Sequence, residues 1–498
     1  MPIGPVLSRL RRIRLLRSSK TRPRRRAISP SAERLDLRQL LSTISLVSAS
    51  TADSKGVTIT YDAAPSDGPT PLIGVFRSAD PAFDAGDRQV GPSVALPAFD
   101  DAGRPSTEPG RHRMTIPVAG GLAIAPERPF VLVVADPGSS TAGQAGEVAS
   151  FRKASMAVVT HGGLQSTKDK KHGPPWARQM ARKLREEGYD RVLVFNWVAQ
   201  SSTPGAAAKQ APRLARAIRR SADRFPDGEP VDLHLIGHSE GAVVNTQAIV
   251  RVIRSRRPEI EAGYLQDTLL DPHAANPRFP GRQYSTAGPV GWMAKLAIDN
   301  YQSRARDPLV FIPKGVDSAQ VFYQQTPADQ DRGTNAGVYN LWGQVPVPGT
   351  ADYFNLTPAG VVHSGKFGVA RWYGRHIVPS LGDGAPGLDQ KTLKAEPDGP
   401  VLSGSKATYA GTAEPGATIR LTAARGQDRL VLVAKSVVGR DGSWTATTRP
   451  LAPGVYRVIA ATQPAGWTRE GGQAIPTAPL GPLVIGPGKA RAASKDRS

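Results

Sequence analysis

The chain has no cysteine. That excludes disulfides and every metal site built on thiolates, and it argues neither for nor against an extracytoplasmic home. No run of about 18 consecutive apolar residues occurs, so no stretch reads as a membrane-spanning helix. There is no glycine-rich phosphate loop and no dinucleotide fingerprint. His172, His273 and the scattered acids show no metal-ligand spacing. No cofactor and no metal is therefore expected. Acidic residues are the scarce sign of charge: 42 Asp and Glu stand against 64 Lys and Arg, a formal net charge of +22 over 498 residues. A surplus of that size suggests a polyanion partner, but its distribution argues otherwise. Residues 1–40 carry 12 Lys and Arg against Glu33 and Asp36, a net of +10, and the tail from Lys489 to Ser498 adds +3. The charge sits mostly in arms, and no RNA- or DNA-binding motif accompanies them, so no nucleic acid is expected as a partner.

What is present divides into stretches of different texture. Residues 1–50 are expected to form a basic, largely disordered export or anchor segment, of which 1–42 has too little apolar surface for a core; Val6–Arg17 has the pattern of a basic amphipathic helix suited to an anionic membrane surface. Residues 51–151 hold short β-type runs, Val57–Tyr61, Leu72–Phe76, Arg113–Val118 and Pro129–Val134, punctuated by Gly, Pro, Asp and Ser, which predicts a small sandwich. Residues 152–382 alternate strands and helices. Residues 383–399 are rich in Gly, Pro and Asp and read as a linker. Residues 400–487 return to short β runs with an Asp441-Gly442 turn, predicting a second sandwich; 488–498 is a basic tail. The expected fold class is α/β: a central domain with a mostly parallel sheet and helices on both faces, flanked by two small β-sandwich domains.

The chain is organised around Val231–Gly241. The run Val231–Ile236 has the length of a buried parallel strand and leads straight into Gly237-His238-Ser239-Glu240-Gly241. Ala242, Val243, Thr246, Ile249, Val250 and Ile253 then line one face of a helix. Strand, G-x-S-x-G, helix is the arrangement that lifts a serine onto a tight, strained turn, with Gly237 and Gly241 where a Cβ would collide. Upstream, the strand Met156–Thr160 ends in His161-Gly162-Gly163, followed by a helix with Trp176, Met180 and Leu184 at spacing four; Arg191–Phe195 is the next strand and Ala206–Phe225 the next helix.

Three motifs in order, His161-Gly162-Gly163, Gly237–Gly241 and Leu270-Asp271-Pro272-His273, make residues 155–380 resemble an α/β-hydrolase of the lipase/esterase kind. Two flanking resemblances accompany it. Arg25–Ser42 is similar to the LEPR-XLL segment of planctomycete surface and secreted proteins, departing from it at Asp36-Leu37. Gly411–Ala417 with Asp441–Trp444 resembles bacterial Ig-like repeats. The first implies export, to a secreted or cell-surface location. The long interval between Asp271 and His363 leaves room for an insertion over Tyr284–Thr350, either a cover on the site or ordinary extra core.

Ser239 is then the candidate nucleophile, and it needs a base to take its proton. In the hydrolase order of serine, acid, histidine, the histidines left are His273, His363 and His376. His273 sits beside the candidate acid Asp271 and His376 inside a helix, so His363, in a loop, is the expected base. Asp267 is the other candidate acid, roughly 13 Å back along the extended chain from the end where functional groups gather. The oxyanion donors are expected to be the backbone N–H of Glu240 and that of Gly163 or Leu164, with Gly162 keeping the loop slim and His161 bracing it. The reading is a hydrolase of carboxylic esters, lipid or acylated-glycan, acting on a small-molecule or lipid ester. A peptidase or thioesterase on the same fold and an inactive surface adhesin remain the alternatives.

Overall fold

The computed structural model describes residues 44–486 apart from 66–67, 140–141, 145, 165–170, 278–283, 331–338, 382–392, 396–399, 414, 426–430 and 464–474. The basic N-terminal segment up to residue 43, with its amphipathic and LEPR-XLL-like stretches, the tail 488–498 and most of the expected linker lie outside the described residues. Among the described residues, no helix is long and apolar enough to cross a membrane.

Two antiparallel sheets come first. One pairs Ile44–Ser50, Gly56–Ala63 and Gly110–Pro117; the other is built on Leu72–Ser78, Phe130–Ala135 and Val148–Arg152. Gly110–Pro117 alternates buried and exposed residues along its second half, as a strand with one covered face must. Ile59, Tyr61, Ile73, Val75, Met114, Ile116, Val131 and Val133 from both sheets share one core. A buried ionic knot ties this part to the next. Lys153 Nζ lies 2.7 Å from Asp232 Oδ1 and donates to the Leu122 carbonyl, Arg77 lies 3.7 Å from Asp232 Oδ2, and the Tyr264 N–H donates to Asp232 at 2.8 Å. Removing one partner of such a knot strands buried charge, at a cost of about 3–5 kcal/mol.

The central sheet begins with six parallel strands in the spatial order Arg191–Phe195, Ala154–Thr160, Val231–His238, Leu265–Leu270, Ser318–Tyr323 and Asp352–Asn355. Ala154–Thr160 and Val231–His238 are buried throughout, as strands covered on both faces are, with Ser155, Asp232 and His234 buried among the apolar residues. Met156 and Val158 face one core, with the helices Ala207–Ala222 and Glu240–Arg254. Ala157 and Val159 face the other, with Pro175–Glu186 and Val369–His376. The chain steps from Ala154–Thr160 outward to Arg191–Phe195, then crosses back to Val231–His238. The switch in direction leaves a crevice at the carboxyl ends of two adjacent strands, where ligands bind in open α/β sheets.

The sheet does not stop at Asp352–Asn355. Ile475–Ile485 pairs with that strand antiparallel, and Gly454–Gln463, Thr418–Arg425 and Val431–Val437 continue it to ten strands. Ile419, Leu421, Val458 and Leu483 from these strands pack on Tyr409, Trp444 and Ala446 of a second antiparallel layer. The C-terminal β region is thus hydrogen-bonded into the central sheet. Nothing in its short, punctuated runs announced that the last strand would find its partner more than 100 residues upstream.

Asp267 lies mid-strand, between Leu265 and Leu269, with its carboxyl buried and without a hydrogen-bond partner for either oxygen. Burial pushes its pKa up to about 8. A carboxyl whose folded pKa is raised contributes stability that is complete below its ordinary value and is lost as pH climbs towards the folded one, here between about 4 and about 8. Asp267→Asn should therefore unfold several degrees higher than the parent at pH 9 and close to it at pH 5. Equal differences at the two pH values in thermal denaturation would contradict this.

Candidate active site

Ser239 adopts φ 55° and ψ −127°, strained backbone for a residue with a Cβ. The turn is held because its neighbours are small. A Cβ on Gly237 would lie 2.9 Å from the Ala242 amide nitrogen, and one on Gly241 2.7 Å from the His161 carbonyl. The elbow helix Glu240–Arg254 can thus sit directly on the strand ends. On the other side, a Cβ on Gly162 would come within 2.7 Å of the Ser239 Cβ, so Gly162 lets the H-G-G loop pass against the serine.

Four separated stretches meet here. His363 Nε2 lies 3.0 Å from Ser239 Oγ, and His363 Nδ1 lies 2.7 Å from Asp271 Oδ2. All three side chains are buried. Asp271 follows the strand Leu265–Leu270 and has φ 48°, which turns its carboxyl across the sheet edge. Its oxygens also accept from the Gly343 N–H at 2.8 Å, the Gln324 N–H at 3.2 Å and Gln324 Nε2 at 2.8 Å. Asp267 is buried four residues back and bonds none of these groups.

Two side chains that sequence reasoning passed over lock this geometry. Gln324 Oε1 accepts from Asn340 Nδ2 at 2.9 Å, while Asn340 Oδ1 accepts the His363 N–H at 3.1 Å. One short amide relay therefore sets both the acid and the histidine loop. Their only signal was position: Gln324 directly follows the buried strand Ser318–Tyr323, at the carboxyl edge where functional groups gather. His238 is a third. Its pKa is lowered to about 3 by burial and by neighbouring His363, so the ring is neutral, and its Nε2–H donates to the His363 carbonyl at 2.8 Å.

The H-G-G loop is braced as expected of its histidine. The Trp197 N–H donates to His161 Nε2 at 3.0 Å, so His161 Nδ1 carries the proton and donates to the Gly162 carbonyl. The two candidates for the second oxyanion donor separate here. Leu164 gives its N–H to the Ser201 carbonyl at 2.8 Å, which takes it away from an oxyanion and corrects that half of the assignment. The other donor, the Glu240 amide, stands at the first helical position, where no intrahelical acceptor exists.

A cavity of about 510 Å³ opens above Ser239. Gly162, Gly163, Leu164, His238, His273, His363 and Ser364 form its floor, and Tyr339 and Leu341 one side. The helix Gly288–Arg304 lies over it, turning Ala294, Ala297, Ile298, Tyr301 and Gln302 inward and leaving Val290, Trp292 and Met293 exposed. The expected insertion is thus a wall of the site. His273 reaches the pocket but its ring is 6.2 Å from that of His363, and burial lowers its pKa to about 4. His376 is exposed at the end of Val369–His376, its ring 5.0 Å from that of Trp372. Among the described residues no group of His, Asp and Glu could hold a metal ion.

No family model matches the chain, and no curated protein matches it. Among solved structures it is similar to a cutinase-like protein from Cryptococcus sp., at 16% identity over 26% of this chain and 57% of that one, with a TM-score of 0.19. It is also similar to a phospholipase from Legionella pneumophila, at 12% identity over 63% of this chain and 87% of that one, TM-score 0.27. A carbohydrate acetylesterase from Xanthomonas citri shares 11% identity over 86% of this chain and 95% of that one, TM-score 0.24. Overlaps this slight carry no functional argument, and the reading of the site rests on its own geometry.

Proposed function

We propose that the protein hydrolyses carboxylic esters through an acyl-enzyme on Ser239. The observation that carries this is the contact chain from Ser239 Oγ through His363 to Asp271, in hydrogen-bond reach at each link and opening on a cavity. A serine hydroxyl attacks at neutral pH only if a neighbouring base takes its proton. His363 Nε2 accepts that proton as Oγ adds to the ester carbonyl carbon, and the Asp271 carboxylate holds the Nδ1–H and stabilises the imidazolium. The carbonyl electrons move onto oxygen, which the amides of Glu240 and Gly163 receive. Collapse breaks the ester C–O bond, and the departing alcohol takes the proton from His363. Water, deprotonated by the same nitrogen, then releases the acid and restores Ser239.

The cavity wall of Ala275, Ala294, Ala297, Ile298 and Leu341 offers an apolar seat for an acyl chain, so lipid or acylated-glycan esters are the proposed substrates. With its basic N-terminal arm, the protein is proposed to be exported and to work at a cell or membrane surface. A fluorophosphonate probe should label the parent and leave Ser239→Ala unlabelled. A panel of p-nitrophenyl esters, a thioester and a peptide amide then ranks the substrates. Absence of labelling would return the protein to the inactive adhesin; a faster thioester or amide would replace the ester reading.

A further inference from the structure

The residue after Ser239 is an acid, and its side chain is used by none of the steps above. Glu240 is 5% exposed. Its carboxyl folds back over Gly163, where any Cβ would collide with its oxygens, and it lines the cavity on the side of the proposed oxyanion donors. Among the described residues no cation pairs with it. It accepts from the Tyr301 hydroxyl of the covering helix, at 3.4 Å from Oε2.

We infer that Glu240 takes part in turnover as a neutral carboxylic acid, and that loss of its proton switches the site off. This rests on the hydrolase reading of Ser239. The reason is electrostatic: the tetrahedral intermediate carries its negative charge at the oxygen beside Gly163 and the Glu240 amide. A carboxylate at that place, 5% exposed, would face the developing oxyanion away from bulk solvent, where like charges repel far more than in bulk water.

The groups around Glu240 all bear on its proton. Burial pushes its pKa up to about 8, and the Asp307 carboxyl, just beyond the covering helix, adds to the rise; the Tyr301 hydroxyl works the other way. The start of the elbow helix also favours the anion, but it does not outweigh burial. Asp307 itself is raised by burial, with Oδ1 accepting the Ala208 N–H at 3.1 Å. From the loop below, His161 is neutral, its two nitrogens engaged with Gly162 and Trp197. From the elbow and the strand ends, His238 and His273 are held neutral by burial, and His363 faces Asp271.

The test is kcat/KM for p-nitrophenyl acetate between pH 6 and 10, with spontaneous hydrolysis subtracted, in the full chain and in three variants. The parent should lose activity near pH 8, about tenfold per pH unit. Glu240→Gln, which cannot ionise, should lack this alkaline limb while keeping the acid limb. Asp307→Asn, which keeps an acceptor for Ala208, should move the limb to lower pH. Tyr301→Phe should move it higher. An alkaline limb unchanged in Glu240→Gln, or shifts of one sign in the other two, would overturn the inference. A readout independent of turnover is the infrared carboxylic-acid C=O band in Ser239→Ala. At pH 7 it should lose intensity when Glu240→Gln is added, the buried Asp267 carboxyl keeping its share in both proteins; a band unchanged at pH 7 sinks the inference whatever the activity. Failure of Ser239 to react with a fluorophosphonate at any pH would instead remove the hydrolase reading.

Discussion

Replacing Ser239 with alanine is expected to lower ester turnover by on the order of 10³-fold or more while the protein stays folded. The loss follows from the atom removed, since Oγ is what His363 Nε2 reaches at 3.0 Å. The fold should be indifferent. Ser239 holds its positive φ against Gly162, Gly237 and Gly241, and alanine at the same φ adds no bulk. What remains should be the small catalysis of an oxyanion site acting on bound substrate with water as nucleophile. The measurement is steady-state hydrolysis of a p-nitrophenyl ester beside a thermal denaturation curve. Near-parental turnover with a parental melting curve would mean that the chemistry lies elsewhere in the molecule.

Asp271→Asn should cost about 10²–10⁴-fold, again without unfolding. The carboxylate accepts from four donors: the amides of Gly343 and Gln324, the Gln324 side chain and His363 Nδ1. An asparagine can keep the two backbone donors on its oxygen. Its NH₂ must then face His363 Nδ1 and Gln324 Nε2. Against Gln324 that sets donor on donor. Against His363 it forces the tautomer whose Nε2 carries the proton, so the ring can no longer take one from Ser239. The loss should fall mainly on kcat, because Asp271 is fully buried and touches no substrate. An active Asp271→Asn beside an inactive Asp267→Asn would move the acid one helical-turn's worth of sequence upstream and undo the assignment.

The sequence by itself determined the elements around the site and the residues worth asking about. The apolar-rich strands Ala154–Thr160 and Val231–His238 are readable because burial on both faces leaves no solvent side to fill with polar residues. The glycines flanking Ser239 are readable because the collision they avoid lies within a few residues along the chain. The chain order of serine, acid and histidine singled out Ser239, Asp271 and His363. That their atoms lie within 3.0 Å of one another along the relay is a fact of the fold alone.

The rest depends on partners distant in sequence, which leave no local trace. Leu164 and Gly163 are adjacent in one loop, and only the Ser201 carbonyl, brought in from another loop, takes the Leu164 amide away. Gln324 and Asn340 look like any polar loop residues until the fold sets them between Asp271 and His363. The last strand, Ile475–Ile485, is an ordinary β run until it pairs with Asp352–Asn355, because strand pairing is settled by which edge stands open in the assembled sheet. Glu240 is decided the same way. At a helix start an acid is a favourable anion; tertiary structure buries it against Gly163, with Asp307 near and, among the described residues, no cation paired with it. Desolvation then exceeds what the helix terminus returns, and the acid keeps its proton.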